Sequence, residues 1–143
     1  MAKNQVQLLH VEDHRIQRTL VAQLLHAVDD YEFQITSAET EDEAITTFQR
    51  GRFDLVLLDY SLPAGNGLSC LRRLRELDPL VPIIAVSGIA TPEIAAELID
   101  VGADDYLDKR KLNETILGES VRNALDRSRA VRRQARPVAH PNG

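Results

Sequence analysis

A single cysteine, Cys70, occurs in the 143 residues. It cannot close an internal disulfide, and alone it points to neither an oxidising compartment nor a cysteine-based metal site, so plain packing is its expected role. Long apolar runs are missing as well. None approaches the roughly 20 residues that a membrane-crossing helix requires, and the opening MAKNQVQ lacks the apolar stretch of a secretory signal. A cytoplasmic location without membrane contact is therefore expected. Internal repeats and extended low-complexity segments are also absent.

What the chain has is the composition of one globular domain, 43% hydrophobic and 27% charged, with enough length for a real core. Its charge is uneven. Residues 1–121 hold 11 Lys or Arg against 21 Asp or Glu, whereas 122–143 hold six Arg against one Asp. A basic tail of this kind can touch nucleic acid or an acidic surface. With no aromatic neighbour and no DNA-reading module, a solvated helix face is the expectation and nucleic-acid binding is not.

Apolar patterning alternates in type along the chain. Strand-like segments are VQLLHV (6–11), YEFQIT (31–36), DLVLLD (54–59), PIIAVSG (82–88) and DDYLD (104–108). Helical spacing separates them. In residues 14–28, Ile16, Leu20, Leu24 and Val28, with Val21 and Leu25 beside them, form a stripe expected to be core. Thr40 stands three residues before Glu43, a capping-box pattern opening a helix over 41–50. A third helix after GNG carries Leu68, Leu71, Leu74 and Leu77, and a fourth starts near TPEIAAEL (91–98) and ends at Gly102. The last runs from about Glu114 to Gln134, before Pro137 forbids continuation. Five strands alternating with five helices predict an α/β doubly wound parallel sheet with helices on both faces. Such sheets bind ligands outside the carboxyl ends of their strands.

Those ends hold an unusual set of groups. The first strand delivers Glu12 and Asp13, the third Asp59, the fourth Ser87 and Gly88, and the fifth Lys109 with Tyr106 three residues before it. Neither hydrophobicity nor capping asks for this combination. Crowded carboxylates repel and raise one another's pKa, so a divalent cation that offsets the repulsion is expected. Oxygen donors suit Mg²⁺, with Asp13 and Asp59 as direct ligands and Glu12 acting through water. With Lys109 and Ser87 on phosphoryl oxygens, Asp59 can attack phosphorus in line. His10 and His14 flank the acidic pair but are expected to point apart, one from the strand and one from the helix.

With these residues in place, residues 6 to about 126 resemble a receiver domain of two-component response regulators, similar to the lone receivers of chemotaxis. The resemblance rests on HVEDH, LVLLDYSLPAGNG, AVSG and DYLDK, with Pro63 and Gly67 four and eight residues after Asp59. It implies a flavodoxin-like (βα)5 fold with strand order 2-1-3-4-5 and a receiver over residues 5–127. Residues 128–143 are then an extended last helix and a disordered tail. It implies that Asp59 takes a phosphoryl group from a sensor histidine kinase or phosphotransfer protein, with the backbone carbonyl of Ser61 joining Asp13 and Asp59 on Mg²⁺. Ser87 and Tyr106 would switch the surface of the fourth helix, fifth strand and fifth helix for a partner or a second copy.

Two positions depart from the family pattern. Glu12 replaces the commoner Asp, and Arg110 stands where many receivers have Pro after the lysine. A cis bond before a non-proline residue would cost about 2.5–4 kcal/mol, so a trans bond or an altered loop is expected. The continuation RKLNETIL resembles receivers attached to sensor or cyclic-dinucleotide signalling proteins more than those on DNA-binding domains. Leu117, Val121, Ala124, Ser128 and Val131 approximate a 3-4 spacing that hints at coiled-coil pairing. The alternatives are a Mg²⁺-dependent phosphohydrolase with an aspartyl nucleophile and a pseudo-receiver that docks without phosphorylation. Against the hydrolase, Ser61 stands where its second acid belongs and little chain remains for a cap. The chain reads either as a stand-alone receiver or as the front of a longer protein.

Overall fold

The computed structural model of the chain describes residues 4–62, 66–89 and 91–135. Within them the elements are β1 (Asn4–Val11), α1 (Arg15–His26), β2 (Tyr31–Ala38), α2 (Glu41–Arg50), β3 (Leu55–Asp59), α3 (Gly67–Leu77), β4 (Ile83–Ser87), α4 (Pro92–Val101), β5 (Asp105–Asp108) and α5 (Glu114–Ala135). All five strands pair in parallel, in the order β2-β1-β3-β4-β5. This is the expected doubly wound flavodoxin-like sheet.

Its two faces follow from the period-2 geometry of strands, which sends successive side chains to opposite sides. Leu9, Val56 and Leu58 pack on one face with Leu71, Leu74 and Leu98 of α3 and α4. Leu8, Leu55 and Leu57 pack on the other with Leu25 of α1 and Leu117 and Val121 of α5. Every residue of β3 and β4 is buried, as strands covered on both faces must be. Truncating one such leucine to alanine costs about 2–5 kcal/mol, so β3 is a rigid support for whatever it ends on.

Helix starts are fixed by side-chain caps. Thr40 Oγ1 accepts from the Glu43 amide (3.1 Å), Asn66 Oδ1 from Ser69 (3.0 Å) and Thr91 Oγ1 from Ile94 (3.2 Å). Gly102, at φ +124°, closes α4 with its amide on the carbonyls of Leu98 and Ile99, a backbone that favours glycine. Arg75 does work the sequence did not announce. It donates to the Gly102 carbonyl (2.9 Å) and pairs with Asp104 (2.9 Å), tying the end of α3 to the turn before β5.

Three expectations about apolar faces need correction. Ile16 and Leu20 are 76% and 40% exposed, and α1 buries Val21 and Leu25 instead, with Val28 buried just beyond its end. The stripe one position along is the one that meets the sheet. Leu77 is also exposed, because α3 ends there. In α5, Leu117, Val121 and Ala124 are buried in the chain's own core, so they are not available as a coiled-coil seam. Helix α5 runs unbroken through residues 127 and 128. Pro63 and the tail expected over 137–143, which begins at Pro137, lie outside the described residues. No described helix is long and apolar enough to cross a membrane.

Candidate functional site

Because all strands run the same way, their carboxyl ends gather at one edge. The loop after β1 carries Glu12 and Asp13, β3 ends on Asp59, β4 on Ser87, and a short 3-10 turn after β5 starts with Lys109. One carboxylate oxygen each from Glu12, Asp13 and Asp59 lies within 4.8 Å of the others. The Lys109 ammonium reaches across the edge to Glu12 Oε1 (2.7 Å) and Asp59 Oδ2 (3.2 Å). Glu12 and Asp59 are nearly inaccessible, at 2% and 3% exposure. Asp13 is half-buried at the rim.

Electrostatics at this edge are poised. Burial, reinforced by the nearby Asp59 charge and against the bond from Lys109, pushes the Glu12 carboxyl above its ordinary range. Burial works to discharge Lys109, but its bond to Glu12 and the charges of Asp59 and Glu12 outweigh it and raise its pKa. His10, buried on β1, is driven down to about 4 by desolvation first and the Lys109 charge second, so it is neutral at pH 7. It stands outside the carboxylate cluster, and His14 is exposed at the start of α1. One ammonium against three carboxylates leaves two negative charges uncompensated. Hard oxygen donors with that charge fit Mg²⁺.

Local structure aims each group. The Ser61 amide donates to Asp59 Oδ1 (3.0 Å), and the His14 amide donates to Glu12 Oε2 (3.2 Å). Gly67 admits no side chain: a Cβ there would stand 2.6 Å from Tyr60 Cα and 2.7 Å from the Asp59 carbonyl oxygen. Its amide closes on the Tyr60 carbonyl at 2.7 Å, drawing the start of α3 against the loop that follows Asp59. Ser87 Oγ accepts from the Ile89 amide (3.0 Å) and donates to the Ile89 carbonyl (3.2 Å). Tyr106 donates its hydroxyl to that same carbonyl (2.8 Å), so the two meet at Ile89.

The turn carrying Lys109 also departs from the family pattern in a readable way. No described peptide bond is cis. Asp108 Oδ1 caps the turn by accepting from the Arg110 amide (2.9 Å), while the Arg110 guanidinium folds back on both Asp108 oxygens (3.1 Å each). An ion-paired clamp thus stands where proline would stiffen the loop.

The structure brings Glu12, Asp13, Asp59 and Lys109 together, with Ser61 bound to Asp59 and Ser87 and Tyr106 joined through Ile89. Sequence reading missed Arg18, whose Nη1 donates to the carbonyls of Glu12 and Asp13 (3.0 Å each). Its signal was a cation within the first turns of a helix, where the macrodipole disfavours one. A groove of about 640 Å³, lined by Phe53, Leu77 and Arg129 among others, lies at the opposite edge of the sheet, away from these groups.

A parallel doubly wound sheet with this acid, hydroxyl and lysine set at its carboxyl edge is the architecture of receiver domains. The family model described as the response regulator receiver domain matches residues 8–120, and the chain belongs to that family. It is 30% identical over 122 residues to a gliding motility regulatory protein of Myxococcus xanthus, a match covering 84% of this chain and 15% of that protein. The chain therefore spans a small part of that relative's length. Among solved structures it resembles a CheY-like response regulator receiver domain protein of Methanospirillum hungatei (28% identity, TM-score 0.76, 90% of this chain and 98% of that one). It also resembles the receiver domain of a Pseudomonas aeruginosa sensor histidine kinase (25% identity, TM-score 0.75, 87% and 99%), described with a magnesium ion coordinated in the active site cleft.

Proposed function

We propose that this receiver accepts a phosphoryl group on Asp59 from a phosphohistidine of a sensor kinase or phosphotransfer protein and uses the new charge to switch a partner-binding surface. The observation that carries the reading is the buried Asp59 carboxylate sharing Lys109 with Glu12, at 3.2 and 2.7 Å, at the exit of a fully buried strand. Held by Asp13, Asp59 and the Ser61 carbonyl, and through water by Glu12, Mg²⁺ would supply the positive charge that lets anionic donor and carboxylate approach.

In the transfer an Asp59 oxygen forms the new P–O bond while the P–N bond to the donor imidazole breaks, leaving the nitrogen pair on the imidazole to be protonated. Lys109 donates to a phosphoryl oxygen, and Ser87 donates to another. Lys109 is preorganised, since it already lies against Asp59, whereas Ser87 stands at the end of β4 with its hydroxyl on Ile89 and must turn to reach the phosphoryl group.

When Ser87 turns to the phosphoryl group it gives up the Ile89 carbonyl, the same acceptor that holds Tyr106. Release of Tyr106 would then move the segment before α4 and alter the face made by α4, β5 and α5. This is a two-state equilibrium biased by about −1.5 to −2 of added charge. The receiver spans residues 5–127, with the remainder of α5 continuing past it along the body, where Arg132 reaches Asp78 (3.5 Å), and the setting is cytoplasmic. The domain signals, and its catalysis is limited to self-phosphorylation from small donors and autodephosphorylation.

Phosphoramidate, a small donor with a P–N bond, tests the reading. With Mg²⁺ it should add one phosphoryl group by intact mass, with no addition in Asp59→Asn. Sustained turnover of phosphate esters would instead indicate a phosphohydrolase, and no addition at saturating donor a pseudo-receiver.

A further inference from the structure

We propose that Arg18 is a positioning residue for the cation site, setting the direction of Asp13 and Glu12 through the backbone rather than touching either carboxylate. The inference rests on the Mg²⁺-dependent reading above. Arg18 lies on α1, and its Nη1 donates to the carbonyl oxygens of Glu12 and Asp13 at 3.0 Å each. Those carbonyls belong to the two peptide planes that flank the Asp13 Cα. Pinning both planes fixes φ and ψ at Asp13, and with them the direction of its Cα–Cβ bond.

Glu12 is reached by the same device. The plane holding the Asp13 carbonyl also holds the His14 N–H, which donates to Glu12 Oε2 at 3.2 Å. Orienting that plane aims the amide at the carboxylate. The same Nη1 also lies 3.3 Å from Glu39 Oε1, which helps to hold the guanidinium at the loop. The Glu12 amide donates to the Ala38 carbonyl (2.9 Å), so the loop is anchored to β2 as well.

Arg18 acts on the site in two opposed ways, and the sign of a substitution separates them. As a nearby positive charge it opposes a divalent cation, so its removal would tighten Mg²⁺ binding. As a positioning residue it preorganises the oxygens, and its removal weakens binding, in the way that partners of metal ligands lower affinity by about 10- to 100-fold when lost. The two bonds to the flanking carbonyls predict the second sign.

The experiment is calorimetric titration of the full chain with MgCl₂, comparing wild type, Arg18→Met and Arg18→Lys, alongside thermal melts in EDTA and amide shifts of Asp13 and His14. The expected result is about tenfold weaker Mg²⁺ binding in Arg18→Met with cooperative melting retained, displaced Asp13 and His14 amides, and an intermediate affinity in Arg18→Lys. Equal or tighter binding in Arg18→Met overturns the proposal. Should Arg18→Met fail to fold, Arg18→Lys decides, since its charge is kept and its reach shortened: weaker binding supports positioning, unchanged or tighter binding refutes it. A wild type that binds no Mg²⁺ overturns the functional reading together with this one.

Discussion

Replacing Asp59 by Asn should abolish phosphorylation and also stabilise the metal-free protein. Asp59 has one carboxylate oxygen within 4.8 Å of Glu12 and Asp13, so at an effective dielectric of about 20 each repulsion is on the order of 3.5 kcal/mol. The Lys109 ammonium at 3.2 Å opposes this with an attraction of about 5 kcal/mol. The balance is a net repulsion of about 2 kcal/mol, and the smaller desolvation cost of a neutral amide adds in the same direction. Asn retains an oxygen for the Ser61 amide, so that hydrogen bond survives. For a domain of this size the gain corresponds to a melting temperature higher by about 6–10 °C in EDTA. Calorimetry in EDTA and then in Mg²⁺ is the assay. The gap should narrow with Mg²⁺, because binding to the native state raises the wild type more than the variant. A variant that melts at or below wild type in EDTA would refute the argument that uncompensated carboxylates strain this edge.

Two further outcomes follow from the same geometry. His10 has its folded pKa lowered from 6.5 to about 4, so its contribution to stability is full above pH 6.5 and is lost as pH falls toward 4, by about 3 kcal/mol in total. Glu12 runs the other way, since a raised carboxyl pKa favours folding at low pH. The difference in denaturant stability between wild type and His10→Gln in EDTA isolates the histidine; a flat difference between pH 7 and 4.5 would contradict the burial account. Gly67→Ala should destabilise the chain by about 1–3 kcal/mol through overpacking and slow phosphorylation from phosphoramidate, because the new Cβ meets backbone at 2.6 and 2.7 Å. An unchanged rate and midpoint would mean that the loop after Asp59 has slack.

How much of this was legible beforehand depended on whether one short segment carried the information. Alternating apolar periods gave the strands and helices, and the rule that ligands gather at strand carboxyl ends picked out Glu12, Asp13, Asp59, Ser87 and Lys109. Periodicity identifies a helix but leaves its buried face ambiguous by one position when apolar residues adjoin, as Leu20 and Val21 do. Periodicity alone therefore places Ile16 and Leu20 in the core, whereas both are exposed. On α5 the same ambiguity made Leu117, Val121 and Ala124 resemble a pairing seam, although the sheet buries them.

Contacts between distant segments were beyond the sequence. Arg75 to Gly102 and Tyr106 to Ile89 join residues 27 and 17 apart, and no local pattern marks either bond. The clamp of Arg110 on Asp108 is local, yet only the folded turn shows both carboxylate oxygens engaged. Arg18 is one of two arginines in the first turn of α1, with Arg15, and only the carbonyls that it meets single it out.

The most direct test of the central claim locates the phosphoryl group itself. After incubation with phosphoramidate and Mg²⁺, borohydride reduction of an aspartyl phosphate leaves homoserine in place of the aspartate, and peptide sequencing by mass spectrometry reads the position in the segments from Asn4 to Arg15 and from Phe53 to Arg72. Homoserine at position 59, absent when Mg²⁺ is omitted, is the predicted result. Homoserine at Asp13, or none at saturating donor, would contradict the account.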